Sequence, residues 1–253
     1  MDISRHYIAR KVPEITLLFW VVKLLTTAMG EASSDYLVNR YNPFIAVILA
    51  GLILLVGLYF QFKSIRYRPF VYWFSVSMVA VFGTMAADGL HIKLGVPYII
   101  SSIFFAAVLI FVFFVWNRTE HNLSIHSINT FRREIFYWSI VLITFALGTA
   151  LGDLTASSFG LGYLDSGILF LVLFMIPLLG QKYVKAREVL TFWSAYILTR
   201  PLGASFADWF SKPKAIKGLG YGEARVALIL IAVIVIYVSF MTLSKRELKR
   251  ENP

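Results

Sequence analysis

Among the ionisable residues in the apolar stretches of this chain, Lys23, Glu31, Asp35, Asp88, Asp153, Arg200 and Asp208 are ones that a lipid-facing helix would avoid. Placing such a charge at bilayer depth costs about 3 kcal/mol or more, so each must face a bundle interior, a partner or water. The expected pairing sets Lys23 or Arg200 against Glu31, with the carboxylate open to exchange for a substrate cation. Thr27, Thr84 and Thr149, with Tyr196, add oxygen groups on the same faces. Acids outnumber bases, which suits a cation or a proton better than an anion. Glu31 and Asp35 are the candidate metal ligands. Hard oxygen donors of this kind favour a divalent ion such as Mn²⁺ or Mg²⁺ over a soft metal.

Long helices are needed to hold these groups. The 253 residues are 58% hydrophobic and 15% charged, with a mean hydropathy of +0.73, well beyond the roughly half apolar and one-quarter charged makeup of a soluble domain. Apolar runs at 14–35, 44–62, 69–90, 97–116, 134–156, 163–180, 188–209 and 224–243 read as eight membrane-spanning helices, each long enough for a ~30 Å hydrocarbon core. They lack the period-two alternation of barrel strands. The opening MDISRHYIARKVPE has no short apolar region followed by a small-residue cleavage site, so the first span reads as retained. Cysteine is absent, which excludes disulfides and thiolate metal sites.

Lysine and arginine set the orientation. Arg5, Arg10 and Lys11, then Lys63, Arg66 and Arg68, Arg118, Arg132 and Arg133, Lys182, Lys185 and Arg187, and finally Lys245, Arg246, Lys249 and Arg250 fall on one side. Arg40, Lys93, Lys212, Lys214 and Lys217 fall on the other. Both termini are therefore expected in the cytoplasm. Most of the net charge of +10 is this topology signal and calls for no nucleic acid.

An internal repeat organises the spans. An aromatic–Trp pair, nine residues, a Gly, four residues and an Asp recur four times without a gap: Trp20–Gly30–Asp35, Trp73–Gly83–Asp88, Trp138–Gly148–Asp153 and Trp193–Gly203–Asp208. The chain divides into repeats 11–62, 63–116, 130–182 and 185–244 within one membrane domain, 1–253, and the loop 117–133 joins two four-helix halves. Each repeat crosses twice, so all four point the same way. The fold expected is an all-α integral membrane protein of four parallel two-helix repeats, odd helices inside and even helices facing lipid. Some of these residues also have plain structural readings. The four Trp residues fit an interfacial aromatic belt or helix packing, the Gly residues fit close helix approach, and the Asp residues fit hydrated helix ends or loop caps.

The four-fold motif resembles the bacterial membrane-protein family built on domain of unknown function 347, with four tandem units of two transmembrane regions, each with a characteristic tryptophan. The stretches KVPEITLLFWVVKLLTTAMGE (11–31) and AYILTRPLGASFADW (195–209) are similar to its signatures, and the likeness covers nearly the whole chain. It implies the architecture and a bacterial inner membrane, and no activity.

Function must come from the faces. At 100° per residue, Lys23, Thr27, Glu31 and Asp35 lie within about 60° either side of Trp20, and Tyr196, Arg200 and Asp208 repeat that stripe beneath Trp193. Pro201 is expected to break the seventh span and expose carbonyls. The reading is gradient-driven export of a small cation coupled to protons, with Glu31 at the site and Asp35, Asp88, Asp153 and Asp208 at an outer mouth. The alternatives are a pseudo-four-fold cation channel and a membrane enzyme acting on a lipid-like substrate. His6, His91, His121 and His126 lie outside the spans, without metal-ligand spacing. No Walker loop or nucleophile elbow is present, and no cofactor is expected. The expected partners are the lipid bilayer and a small cation or proton.

Overall fold

A computed structural model describes residues 10–243. Arg5, His6, Lys245, Arg246, Lys249 and Arg250, which entered the sequence reading, lie outside the described residues. Among the described residues eight α-helices follow one another: α1 (Leu17–Arg40), α2 (Pro43–Lys63), α3 (Pro69–Asp88), α4 (Tyr98–Glu120), α5 (Phe131–Asp153), α6 (Gly162–Val184), α7 (Glu188–Ser211) and α8 (Glu223–Leu243). No strand occurs among the described residues. Local chemistry fixes the starts. The side chains of Thr16, Asn42 and Thr130 accept backbone N–H bonds at the heads of α1, α2 and α5, and Pro43 and Pro69 sit in the first turn, where no donor is needed.

Six of the helices are long and apolar enough to cross a membrane: α2, α3, α4, α5, α6 and α8. The other two, α1 and α7, have 24 residues each, and Lys23, Glu31, Asp35 and Arg40, or Glu188, Arg200 and Asp208, lower their hydropathy. The connection between halves is shorter than 117–133. The helix α4 runs on to Glu120 and α5 starts at Phe131, because Arg133 reaches back to Glu120 at 2.8 Å and Thr130 caps α5.

The odd helices form a closed ring in which α1 packs on α3, α3 on α5, α5 on α7 and α7 on α1. Each even helix packs on the odd helix of the next repeat: α2 on α3, α4 on α5, α6 on α7, and α8 back on α1. Burial follows: 67% of the apolar windows of α3 and α5 is buried, against 22% for α2, α4, α6 and α8. Ile48 of α2, Phe104 of α4, Ile176 of α6 and Leu228 of α8 show how apolar the exposed faces are.

The repeated residues make the ring. A Cβ on Gly30 would overlap Ala80 of α3, one on Gly83 would meet Phe145 Cβ of α5 at 2.8 Å, one on Gly148 would overlap Arg200 of α7, and one on Gly203 would overlap Thr27 of α1. Each glycine thus admits the residue three places before the glycine of the next repeat. Small residues at a crossing let two backbones approach closely, which is how helices gain contact in lipid. The aromatic pairs obey the same cycle. Phe19 meets Trp73 at 5.7 Å between ring centroids, Tyr72 meets Trp138 at 5.7 Å, Tyr137 meets Trp193 at 6.1 Å and Phe192 meets Trp20 at 5.8 Å. All four Trp residues are buried, so these rings cap the bundle axis instead of forming a lipid-facing belt.

Candidate functional site

Arg200 enters the ring interior one turn before Gly203 and is fully buried. Its Nη2 donates to Glu31 Oε2 at 2.5 Å, to Thr149 Oγ1 at 2.7 Å and to Thr84 Oγ1. Glu31, Thr84 and Thr149 each follow the repeated glycine of α1, α3 and α5, and the fourth such position, Ala204, is a small residue on Arg200's own helix. One guanidinium therefore ties all four repeats at a single level. Its Nε and Nη1 have no hydrogen-bond partner among the described residues.

Towards the C-terminal ends of the ring helices the acids gather. Oxygens of Glu31, Asp35 and Asp208 lie within 4.8 Å of one another, close enough to share one metal ion. Glu31 and Asp35 are the ligands expected from the sequence, and Asp208 joins them in the fold. Asp208 is buried, and its Oδ1 accepts no hydrogen bond among the described residues. Asp88 and Asp153 hold the matching positions on α3 and α5, at the end of each helix. Both stand where their helices pass into a single π-type turn, Gly89–Lys93 and Leu154–Ser158.

Lys212, read from the sequence only as a topology charge, closes the cluster from the end of α7. Its ammonium donates to Asp35 Oδ2 at 2.6 Å and to Glu223 Oε1 at 3.1 Å, and it lies 3.9 Å from Asp208 Oδ1. Burial pulls this lysine down. Asp35, Asp208, the hydrogen bond with Asp35 and Glu223 outweigh that and hold it above the usual lysine range. It therefore stays charged throughout the neutral range. The cue for it was the i,i+4 spacing of Asp208 and Lys212.

The remaining candidates divide. Lys23 is buried and makes no ion pair among the described residues; its Nζ lies 4.1 Å from the Phe145 centroid and 4.2 Å from that of Tyr196. Thr27 spends its hydroxyl on Leu24 O at 2.7 Å and on Thr199 O at 3.2 Å, at the α1–α7 crossing. Pro201 does not break its helix. The α7 helix runs unbroken from Glu188 to Ser211, because Gly148 leaves room for the proline ring, which a Cβ there would meet at 2.9 Å.

A second buried ion pair, not expected from the sequence, lies at the opposite end of α5. Glu134 is fully buried at the head of α5. It accepts from Lys11 Nζ at 2.7 Å and from Gln61 Nε2 at 3.0 Å. Its i,i+4 spacing from Trp138 put it on the inner face. The connection after α4 is docked too: Trp193 donates to Leu123 O at 2.9 Å, and His126 pairs with Glu188 at 2.7 Å.

Helices able to cross a membrane, with an interior of repeated motifs, define a multi-pass helical membrane protein. The family described as Repeat of Unknown Function (DUF347) matches the chain three times, over residues 71–122, 136–187 and 191–247. These matches cover more than half of the length, and the chain belongs to that family. Neither a curated protein nor a solved structure matches it.

Proposed function

We propose that the chain crosses a bacterial inner membrane eight times, with both termini cytoplasmic, and exports a small cation by exchange for protons. The reading rests on one observation: three carboxylates on α1 and α7 have oxygens within 4.8 Å of each other, between the buried Arg200 and the half-buried Lys212. Asp208 Oδ1, buried and without a hydrogen bond, is an acceptor lacking a donor, which a cation would supply. Three hard oxygen ligands suit a divalent ion such as Mn²⁺ or Mg²⁺. In the resting arrangement Arg200 and Lys212 occupy Glu31 and Asp35 as tethered counter-ions, and an entering cation replaces them. The acidic end faces outward when the Lys and Arg clusters at 63–68, 118–133 and 182–187 face the cytoplasm. The aromatic ring and the glycine crossings pack the axis of the ring tightly, which supports a carrier over a standing pore.

The test is flux of Mn²⁺ and Mg²⁺ into proteoliposomes, followed with a metal dye and an internal pH dye. Wild type should carry ions and move protons the other way, and Glu31→Gln should reduce the rate at least tenfold. No ion movement by folded, inserted wild-type protein sinks the proposal. Currents with no opposing proton movement would favour the channel.

A further inference from the structure

Lys23 has no role in the carboxylate cluster, yet it is as buried as Arg200 and stands on the same helix face as Glu31, eight residues on. Its Nζ sits between the rings of Phe145 and Tyr196, at 4.1 and 4.2 Å from their centroids. The ring of Phe145 is shared: the Arg200 guanidinium carbon lies 5.5 Å from the same centroid. Two cationic side chains thus approach one aromatic ring in the buried interior. Arg200 has Glu31 as a counter-ion at 2.5 Å, and Lys23 has none among the described residues. An ammonium held by ring faces alone can lose its proton without breaking an ion pair, whereas a guanidinium cannot be deprotonated in a protein.

The surroundings of Lys23 limit what else can respond. From α7 it faces Tyr196 and Arg200. On α3 and α5, Tyr72 and Tyr137 are buried and their hydroxyls are hydrogen-bonded to each other. The buried residues of α8, which packs on α1, are apolar: Val226, Ala227, Ile234, Val238 and Met241. The neighbouring charge that changes on loading is therefore that of the Glu31–Arg200 pair.

We propose that Lys23 is the proton-coupling group of the carrier: a cation bound at Glu31, Asp35 and Asp208 expels the proton from Lys23 Nζ, and reprotonation of Lys23 expels the cation. This rests on the transport reading of the same site. When a divalent ion takes Glu31, the positive charge of Arg200 loses its counter-ion and the ion adds its own. Both act on Nζ across a low-dielectric interior, where such interactions are strong. The N–H bond breaks with its electron pair left on nitrogen, and the proton leaves to solvent water. Lys23 is a positioning residue here, because it acts on the cation through Arg200 without touching it.

The experiment is equilibrium binding of Mn²⁺ to purified full-length protein in lipid nanodiscs between pH 6 and 8. One linked proton makes affinity change about tenfold per pH unit. Lys23→Met removes the proton and the repulsion together. It should bind Mn²⁺ more tightly at pH 6 than wild type, with the slope of log Kd against pH reduced by about one. Lys23→Arg keeps a charge that cannot leave, so it should bind more weakly at every pH, with the same loss of slope. If wild type binds Mn²⁺ and both variants keep its slope, the coupling role is wrong and the transport reading stands. Weaker binding by Lys23→Met at pH 6 also overturns the coupling role. Absence of binding by wild type removes both.

Discussion

Arg200 ties the interior together, because one nitrogen of its guanidinium meets Glu31, Thr84 and Thr149 from three different helices. Removing one partner of a buried pair strands the other charge, at a cost of about 3–5 kcal/mol. Arg200→Met should therefore lower the apparent melting temperature in detergent sharply, and Glu31→Gln should do so less, since the amide still accepts a hydrogen bond. The double variant Arg200→Met with Glu31→Met leaves no charge unpaired, so it should recover much of the loss from the single Arg200 change. Differential scanning fluorimetry on the purified variants reads this. Additive losses would mean that the pair is not coupled. The pairing was legible because an acid and a base stand on one face of two helices in the same motif register. Lys212 and Glu134 were not. One lies just past a helix end and the other near a helix start, where charges ordinarily report topology, and only the folded chain brings them to Asp35 and Lys11.

At the scale of elements, the four crossings are one contact used four times, and that explains why the repeat could be read at all. A position that must be glycine at every crossing, and an aromatic pair at every turn of the ring, leave a signal that drift cannot blur independently. What the repeat could not reveal is the difference between copies. The first copy offers Thr27 at the crossing where the fourth offers Arg200, so the ring is symmetric in backbone and asymmetric in charge. The low hydropathy of α1 and α7 follows from the same asymmetry, since both hold the ion pair. Gly148→Ala tests the crossing. A methyl there meets Arg200 and the Pro201 ring on a neighbour that cannot shift without moving α7. Overpacking of this kind costs about 1–3 kcal/mol. Gly89→Ala is the matched control: its backbone is helical (φ −57°) and nothing lies within 4 Å of the new Cβ, so its melting temperature should match or slightly exceed that of wild type. Equal melting temperatures for the two variants would contradict the role given to the ring.

For the whole molecule, the end of the ring that faces each compartment fixes whether the acids collect cations from outside or discharge them there. The segment before α5 and the segment after it lie at opposite ends of one helix, Phe131–Asp153. Each has an exposed polar residue suited to a probe, Asn122 before and Ser157 after. The chain contains no cysteine, so a single introduced thiol is the sole target for a maleimide. The clustering of Lys and Arg beside Asn122, at Arg118, Arg132 and Arg133, predicts that end to be cytoplasmic. Ser157→Cys should therefore react with a membrane-impermeant maleimide in intact right-side-out vesicles. Asn122→Cys should react only after the membrane is permeabilised. The reverse pattern would place the acidic cluster on the cytoplasmic side and turn the proposed export into uptake, leaving the ring and its ion pairs as they are. Labelling of both positions in sealed vesicles would mean that α5 does not cross the bilayer, and the eight-span arrangement would fall with it.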